Sequence, residues 1–180
     1  MALEVRPVMP ADVPAVVAMV HELAEFERAP DQCQLTEDQL HEALFNPQPA
    51  LFGHVACRDG EPVGFTLWFL NFSTWRGVHG IYLEDLYVRP SARGTGAGRA
   101  LLAELARICA ERGYERMDWW VLHWNPAREF YHAVNAVAMD EWVPYRLTGQ
   151  ALYALAAVSA ALPAPTCDRP VQSQVGGMPQ

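Results

Sequence analysis

The segment Leu83-Glu84-Asp85-Leu86-Tyr87-Val88-Arg89-Pro90-Ser91-Ala92-Arg93-Gly94-Thr95-Gly96-Ala97-Gly98-Arg99 passes from a β pattern through a glycine-rich loop. Residues 78–88 are rich in β-branched and aromatic side chains, as strands are. After the loop, Leu101, Leu102, Leu105, Ile108 and Cys109 recur at helical spacing, with Gly113 as the closing residue and Arg107 and Arg112 near the negative end. Glycines between a strand and a helix let the backbone come close to a ligand, and free amides at a helix N-terminus suit phosphate oxygens. Arg93 or Arg99 can add a charge-assisted contact. A nucleotide-binding loop of the Gly-Lys-Ser/Thr type is excluded, because Lys is absent. A GxGxxG fingerprint fails because Arg99 stands at its last position, and Glu84-Asp85 are out of place in a fully buried strand. Taken alone, the loop is equally well a turn without a ligand.

Upstream, residues 3–6 read as an opening strand. Asp12 is an expected N-cap for a helix to about Phe26 that carries Val13, Val16, Val17, Val20, Leu23 and Ala24 on one face. Thr36-Glu37-Asp38-Gln39 is a capping box opening a second helix. Residues 51–57 and 62–72 are strand-like, and the Asp59-Gly60 pair between them signals a hairpin. Downstream, residues 117–122 read as a strand, Asn125-Pro126 as a helix start and residues 137–147 as a last strand. The expected order is β-α-α-β-β-β-α-β-α-β. A helix joining two strands implies a parallel crossover, so the class is α/β with a mixed, mostly antiparallel sheet. Three segments follow: a domain over residues 1–150, an Ala-rich extension over 151–162, and a Pro- and Gly-containing tail over 163–180 expected to be disordered.

The chain has 180 residues, with 13 Lys and Arg against 21 Asp and Glu, a net charge of −8. That acidity argues against a general nucleic-acid binder, which needs a basic face. Hydrophobic residues make up 51% and charged ones 19%, enough apolar material to bury a core. No signal-peptide pattern and no apolar run of membrane-spanning length is present, so a cytoplasmic, membrane-free location is expected. Cys33, Cys57, Cys109 and Cys167 have no metal-type spacing and read as inert thiols in a reducing compartment. His79, His123 and His132 are scattered likewise, and no metal is expected.

The Arg-x-x-Gly-x-Gly loop directly after Leu83–Pro90 resembles the acetyl-CoA-binding segment of the GNAT superfamily of N-acetyltransferases. Asn125-Pro126-Ala127-Arg128-Glu129-Phe130-Tyr131 resembles that family's second cofactor segment, and the match spans about residues 3–150. Glu22–Glu27, Leu35-Thr36-Glu37, Trp75-Arg76-Gly77 and Tyr82–Asp85 are similar to the branch of spermidine/spermine and thialysine N-acetyltransferases. His123-Trp124-Asn125 and Gly149-Gln150 lean to the thialysine side. Ser73 stands where the polyamine enzymes carry an acid, which weakens a polyamine assignment. Asn135 replaces the usual Gly after the Tyr-bearing helix, and Asn tolerates the left-handed conformation.

The resemblance implies acetyl-CoA as co-substrate. The backbone of Leu86, Tyr87 and Val88 would hold its pantetheine arm. Arg93, Gly94, Thr95, Gly96, Ala97, Gly98 and Arg99 would hold its pyrophosphate, with Asn125 and Arg128 as further contacts. It also implies a homodimer.

Acetyl transfer to an amine needs the amine neutral, although an alkylammonium has a pKa near ~10.4. It needs a donor for the oxyanion, most simply a backbone amide near Leu86, and a proton for the leaving thiolate. Glu84 is the expected base, chiefly by resemblance, with Asp85 second; strand alternation puts the two on opposite faces. Tyr131 is the expected acid, since a phenol keeps its proton at neutral pH. Phe26, Glu27, Trp75, Trp119, Glu141 and Trp142 are candidates for an amine pocket, together with Glu84. The expectation is a small-molecule amine N-acetyltransferase; the alternative is a non-catalytic acyl-CoA-binding regulatory module.

Overall fold

The computed structural model describes residues 3–160. The elements are β1 (Leu3–Pro7), α1 (Val13–Phe26), α2 (Glu37–Phe45), β2 (Phe52–Arg58), β3 (Glu61–Ser73), β4 (Val78–Val88), α3 (Ala97–Arg112), β5 (Met117–Asp118), α4 (Ala127–Ala133) and α5 (Gly149–Ala160). They fall into two compact units, one running to Arg128 and one starting at Glu129.

In the first unit the sheet order is β1-β2-β3-β4-β5, antiparallel except for the β4–β5 pair. The β2–β3 turn forms where Asp-Gly stands: Arg58 pairs with Glu61, and Asp59 and Gly60 have φ of 52° and 89°. Positive φ at both central residues is what a two-residue hairpin with native twist requires.

Alternation along the strands separates two cores. Val55 and Cys57 of β2, Phe65 and Leu67 of β3 and Tyr87 of β4 pack with Val13, Val16, Val17 and Met19 of α1 and Leu40 and Leu44 of α2. Ala56 of β2 and Leu86 and Val88 of β4 pack with Ala97 and Leu101 of α3. Helices therefore flank the sheet, α1 and α2 on one face and α3 on the other. The capping box of α2 is formed: the Gln39 amide donates to the Thr36 hydroxyl at 3.3 Å, and the Thr36 amide donates to Gln39 Oε1 at 3.0 Å. Gly113 closes α3 at φ 70°.

Three expectations are corrected. Asp12 does not cap α1. Its carboxylate accepts from Arg6 at 2.6 Å and from the Met9 amide at 2.8 Å, a stronger charge-assisted use of the same group. The strand expected over residues 117–122 stops at Asp118. The strand expected over residues 137–147 does not form; Val137, Met139, Val143, Tyr145 and Leu147 are exposed coil, because a strand pattern without a neighbouring ladder has no partner for its backbone. Further on, α5 takes in most of the Ala-rich extension and exposes Leu152, Tyr153, Leu155 and Val158. The tail over 163–180 lies outside the described residues.

Candidate active site

Regular alternation breaks once inside β4. Leu67 pairs with Asp85, but the next residue, Trp68, pairs with Leu83, so Glu84 is an extra residue in the ladder. Such a bulge re-aims the side chains around it. Leu83 lies on the α3 face with Trp68, whose indole donates to His54 Nδ1 at 3.2 Å. Asp85 lies on the α1 face with Leu67 and Tyr87. The bulge falls at Glu84, so simple alternation does not by itself set the faces of Glu84 and Asp85, and the charge of Glu84 acts on Asp85.

The bulge also divides the outer edge of β4. Ile81 pairs with Met117 and Tyr82 with Asp118, and β5 ends there. Beyond Leu83 no strand among the described residues pairs with that edge, so the stretch Leu86–Val88 borders backbone able to take new hydrogen bonds, the Val88 carbonyl apart, which accepts from Arg93.

This open stretch leads into the loop. After a turn at Pro90–Ala92, the Thr95 hydroxyl donates to the Ala92 carbonyl at 2.6 Å. Gly94 and Gly96 have φ of 74° and 90°, and a Cβ built on either would meet nothing within 4 Å. The glycines are thus required by conformation, and the space above them is free. The first bond inside α3 runs from the Ala100 amide to the Gly96 carbonyl, leaving the amides of Ala97, Gly98 and Arg99 without helical partners at the positive end of a 16-residue helix. Free amides, left-handed glycines and an open strand edge fit the phosphates and amide-bearing arm of coenzyme A.

Arg93 ties this region to α1. Its Nε donates to the Val88 carbonyl at 3.0 Å, and its guanidinium carbon lies 5.2 Å from the Phe26 ring centre and 5.7 Å from that of Tyr87. Phe26 in turn lies 6.0 Å from Trp124, over which Arg28 stacks at 4.8 Å. Arg99 is exposed beside the loop.

Across from these cations stand carboxylates. Burial pushes Asp85 up to about 7, and the charges of Glu84 and Glu27 add to that. Burial raises Glu27 as well. Tyr87 is raised by burial and by Glu22, which also pairs with Arg89 at 3.0 Å. The first unit thus brings together Phe26, Glu27, Glu84, Tyr87 and Arg93, cationic toward the loop and anionic toward the bulge.

The other candidates lie as follows. Asn125 Oδ1 accepts from the Ala127 amide at 2.9 Å and so starts α4, as an Asn before Pro predicts. Arg128 donates to the His123 carbonyl at 3.0 Å. Trp119 is half-buried, and Trp75 stands exposed in the β3–β4 turn. In the second unit, Tyr131 is half-buried beside Phe130, at 5.4 Å between ring centres, while Glu141 and Trp142 are exposed. Asn135 takes φ 62°, the conformation for which Asn substitutes for Gly.

Sequence reasoning missed an aromatic group before the bulge: Phe69 stacks on Tyr82 at 4.8 Å, and Trp120 meets Tyr82 edge-on at 6.2 Å. Spacing along one strand could not reveal it, because it joins β3, β4 and the segment just after β5. No group of metal-ligating side chains occurs among the described residues, and no described helix is long and apolar enough to cross a membrane. Burial raises the thiols of Cys57 and Cys109, which disfavours the reactive thiolate.

The sequence profile of the GNAT acetyltransferase family matches residues 16–135. The thialysine N-epsilon-acetyltransferase of Caenorhabditis elegans is 34% identical over 153 residues, covering 83% of this chain and 94% of that protein. The enzyme of the same name from Bos taurus is 32% identical over 164 residues, covering 84% and 96%. Among solved structures, an integron cassette protein from the mobile metagenome of V. cholerae superposes with a TM-score of 0.73 at 28% identity, over 87% of this chain and 98% of that one.

Proposed function

This chain belongs to the GNAT acetyltransferase family, and on that premise we propose that it moves an acetyl group from acetyl-CoA to a primary amine of a small molecule, by direct attack in a ternary complex. The amine is of the thialysine, diamine or polyamine kind. The observation that carries this reading is the division of β4. Its open half runs straight into the free amides of α3, while acids crowd the bulge at its start.

Bound acetyl-CoA supplies the activated acetyl thioester. The amides of Ala97, Gly98 and Arg99 and the glycines of the loop bind the phosphates, with Arg93 and Arg99 adding charge. The backbone of Leu86, Tyr87 and Val88 orients the arm, and Asn125 and Arg128 add contacts. Glu27, Glu84 and Asp85 attract the ammonium and lower the cost of bringing it in. Phe26, Trp75, Trp119, Glu141 and Trp142 are further candidates to line the path of the aminoalkyl chain. Tyr131 donates a proton to the leaving sulfur. Ser73 is engaged in its own turn, accepting from the Arg76 amide at 3.2 Å, and adds no negative charge, which favours an amine less cationic than a polyamine. A cytoplasmic homodimer completes the proposal.

The test is release of CoA thiol with thialysine, lysine, diamines, polyamines and aminoglycosides in turn. Turnover is expected to be fastest with thialysine or a short diamine, and slowed in Tyr131→Phe with little change in acetyl-CoA affinity. Tight acetyl-CoA binding with no thiol release on any amine would establish the non-catalytic acyl-CoA-binding module instead.

A further inference from the structure

We propose that Arg28 holds the carboxylate of the acceptor, so that the site takes an amino acid bearing a side-chain amine in preference to a diamine of the same length. The proposal rests on the acetyltransferase reading above and narrows its acceptor.

The end of α1 carries the argument. The Arg28 amide donates to the Glu25 carbonyl at 3.0 Å, and the Ala29 amide donates to the Ala24 carbonyl at 2.9 Å. This pair of bonds closes a helix through one residue in the left-handed region, a place glycine usually takes. Here the residue is Arg28, at φ 62°. A side chain adopts that conformation only at a cost. A cation for the negative end of the helix could stand anywhere in the last turn without that cost. What this position supplies is direction: the guanidinium lies over the Trp124 ring, 4.8 Å from its centre.

That cation has no acid of its own. Arg6, Arg76, Arg89, Arg107 and Arg116 each pair with a carboxylate. Among the described residues Arg28 pairs with none, although Glu25, Glu27 and Asp31 sit nearby in the chain. Burial raises Glu27 without an offset from Arg28, so the two neighbouring charges do not cancel. The charge of Glu27 acts on Asp85 at the bulge, while Arg28 is exposed beside Trp124. A guanidinium resting on a ring keeps its in-plane N–H groups free, and their fork matches a carboxylate.

The site then has a direction. Glu27, Glu84 and Asp85 draw in the ammonium that reacts. An acceptor reaching from the bulge past Glu27 meets Arg28 next. An amino acid presents a carboxylate there, whereas a diamine or polyamine presents a second ammonium, which Arg28 repels.

Thialysine and bis(2-aminoethyl) sulfide, the diamine left when thialysine loses its carboxylate, separate the two cases. The unaltered enzyme should favour thialysine in kcat/KM by about tenfold or more. In Arg28→Gln that ratio should fall roughly 10–50-fold, through the thialysine KM and not through kcat. Arg28→Gly, which suits the left-handed turn, should lose the ratio equally, and Arg28→Lys should restore much of it. An acetyl-CoA KM within about twofold is the check on folding. No preference in the unaltered enzyme, or a ratio unmoved in Arg28→Gln and Arg28→Gly, would overturn the proposal. Equal losses on both acceptors would overturn it too, leaving Arg28 only a support for Trp124. Calorimetric titration of thialysine into the CoA-bound protein reads the same contact without turnover, and its Kd should rise about tenfold or more in Arg28→Gln. An unchanged Kd would overturn the carboxylate site. Absence of thiol release with every amine, with that Kd difference intact, would instead sink the acetyltransferase reading and leave the carboxylate site standing.

Discussion

The two halves of β4, Val78–Leu83 and Asp85–Val88, are one strand used in two ways. The first half is enclosed. Ile81 is fully buried, its amide donates to the Arg116 carbonyl at 3.0 Å, and Asn71 reaches across Gly80 to Asp118 at 2.8 Å. A Cβ on Gly80 would lie 2.6 Å from Asn71 Oδ1 and 3.0 Å from the Arg116 carbonyl oxygen, so a side chain here would displace Asn71 and press on the backbone leading into β5. The second half keeps its β3 ladder and loses its other neighbour. Between them a single extra residue switches which face each side chain takes. The enclosed half gives up backbone freedom for stability; the open half keeps backbone groups in reserve for a ligand.

That contrast can be broken from either side. Ile81→Ala removes buried volume from the enclosed half and should cost about 3 kcal/mol in a urea titration, while the protein that remains folded keeps its acetyl-CoA affinity. Gly96→Ala forces a side chain into φ 90° on the open half's loop, at a cost of about 1–2 kcal/mol. Its expected signature is an acetyl-CoA KM raised about tenfold with the amine KM unchanged, the reverse of Ile81→Ala.

Asp85 gives a smaller and pH-dependent effect. A carboxyl whose pKa is higher in the folded than in the unfolded chain binds its proton more tightly in the fold. The stability this provides is full below about pH 4 and is lost as pH rises through about 7. Asp85→Asn should therefore melt above the unaltered protein at pH 8, by roughly 2–4 °C, with the advantage gone at pH 4. Equal displacement at both pH values would mean that Asp85 is not charged against its surroundings.

Much of the framework around β4 and of the loop after it was legible in the sequence because local rules govern both. Asp59-Gly60 forms its hairpin, Thr36 and Gln39 form their capping box, Gly113 ends its helix, and Gly94 and Gly96 take the conformations that only glycine takes cheaply. The site's acids were legible only as a pair. Whether Glu84 or Asp85 faces α1 depends on a one-residue slip against Trp68, and no residue type in Leu83–Leu86 announces a slip. Residues 137–147 misled for the complementary reason: alternation records which side chains could share a face, not whether a neighbouring strand exists to hold the backbone.

The central claim is that the open half of β4 and the loop after it receive the acetyl donor. Backbone amide resonances followed during titration with acetyl-CoA test it most directly. The account predicts large shifts at Leu86–Val88, at Gly94 and Gly96 and at Ala97–Arg99, with Gly80, Ile81 and Tyr82 unmoved. Shifts spread evenly along β4, or confined to Val78–Leu83, would contradict it.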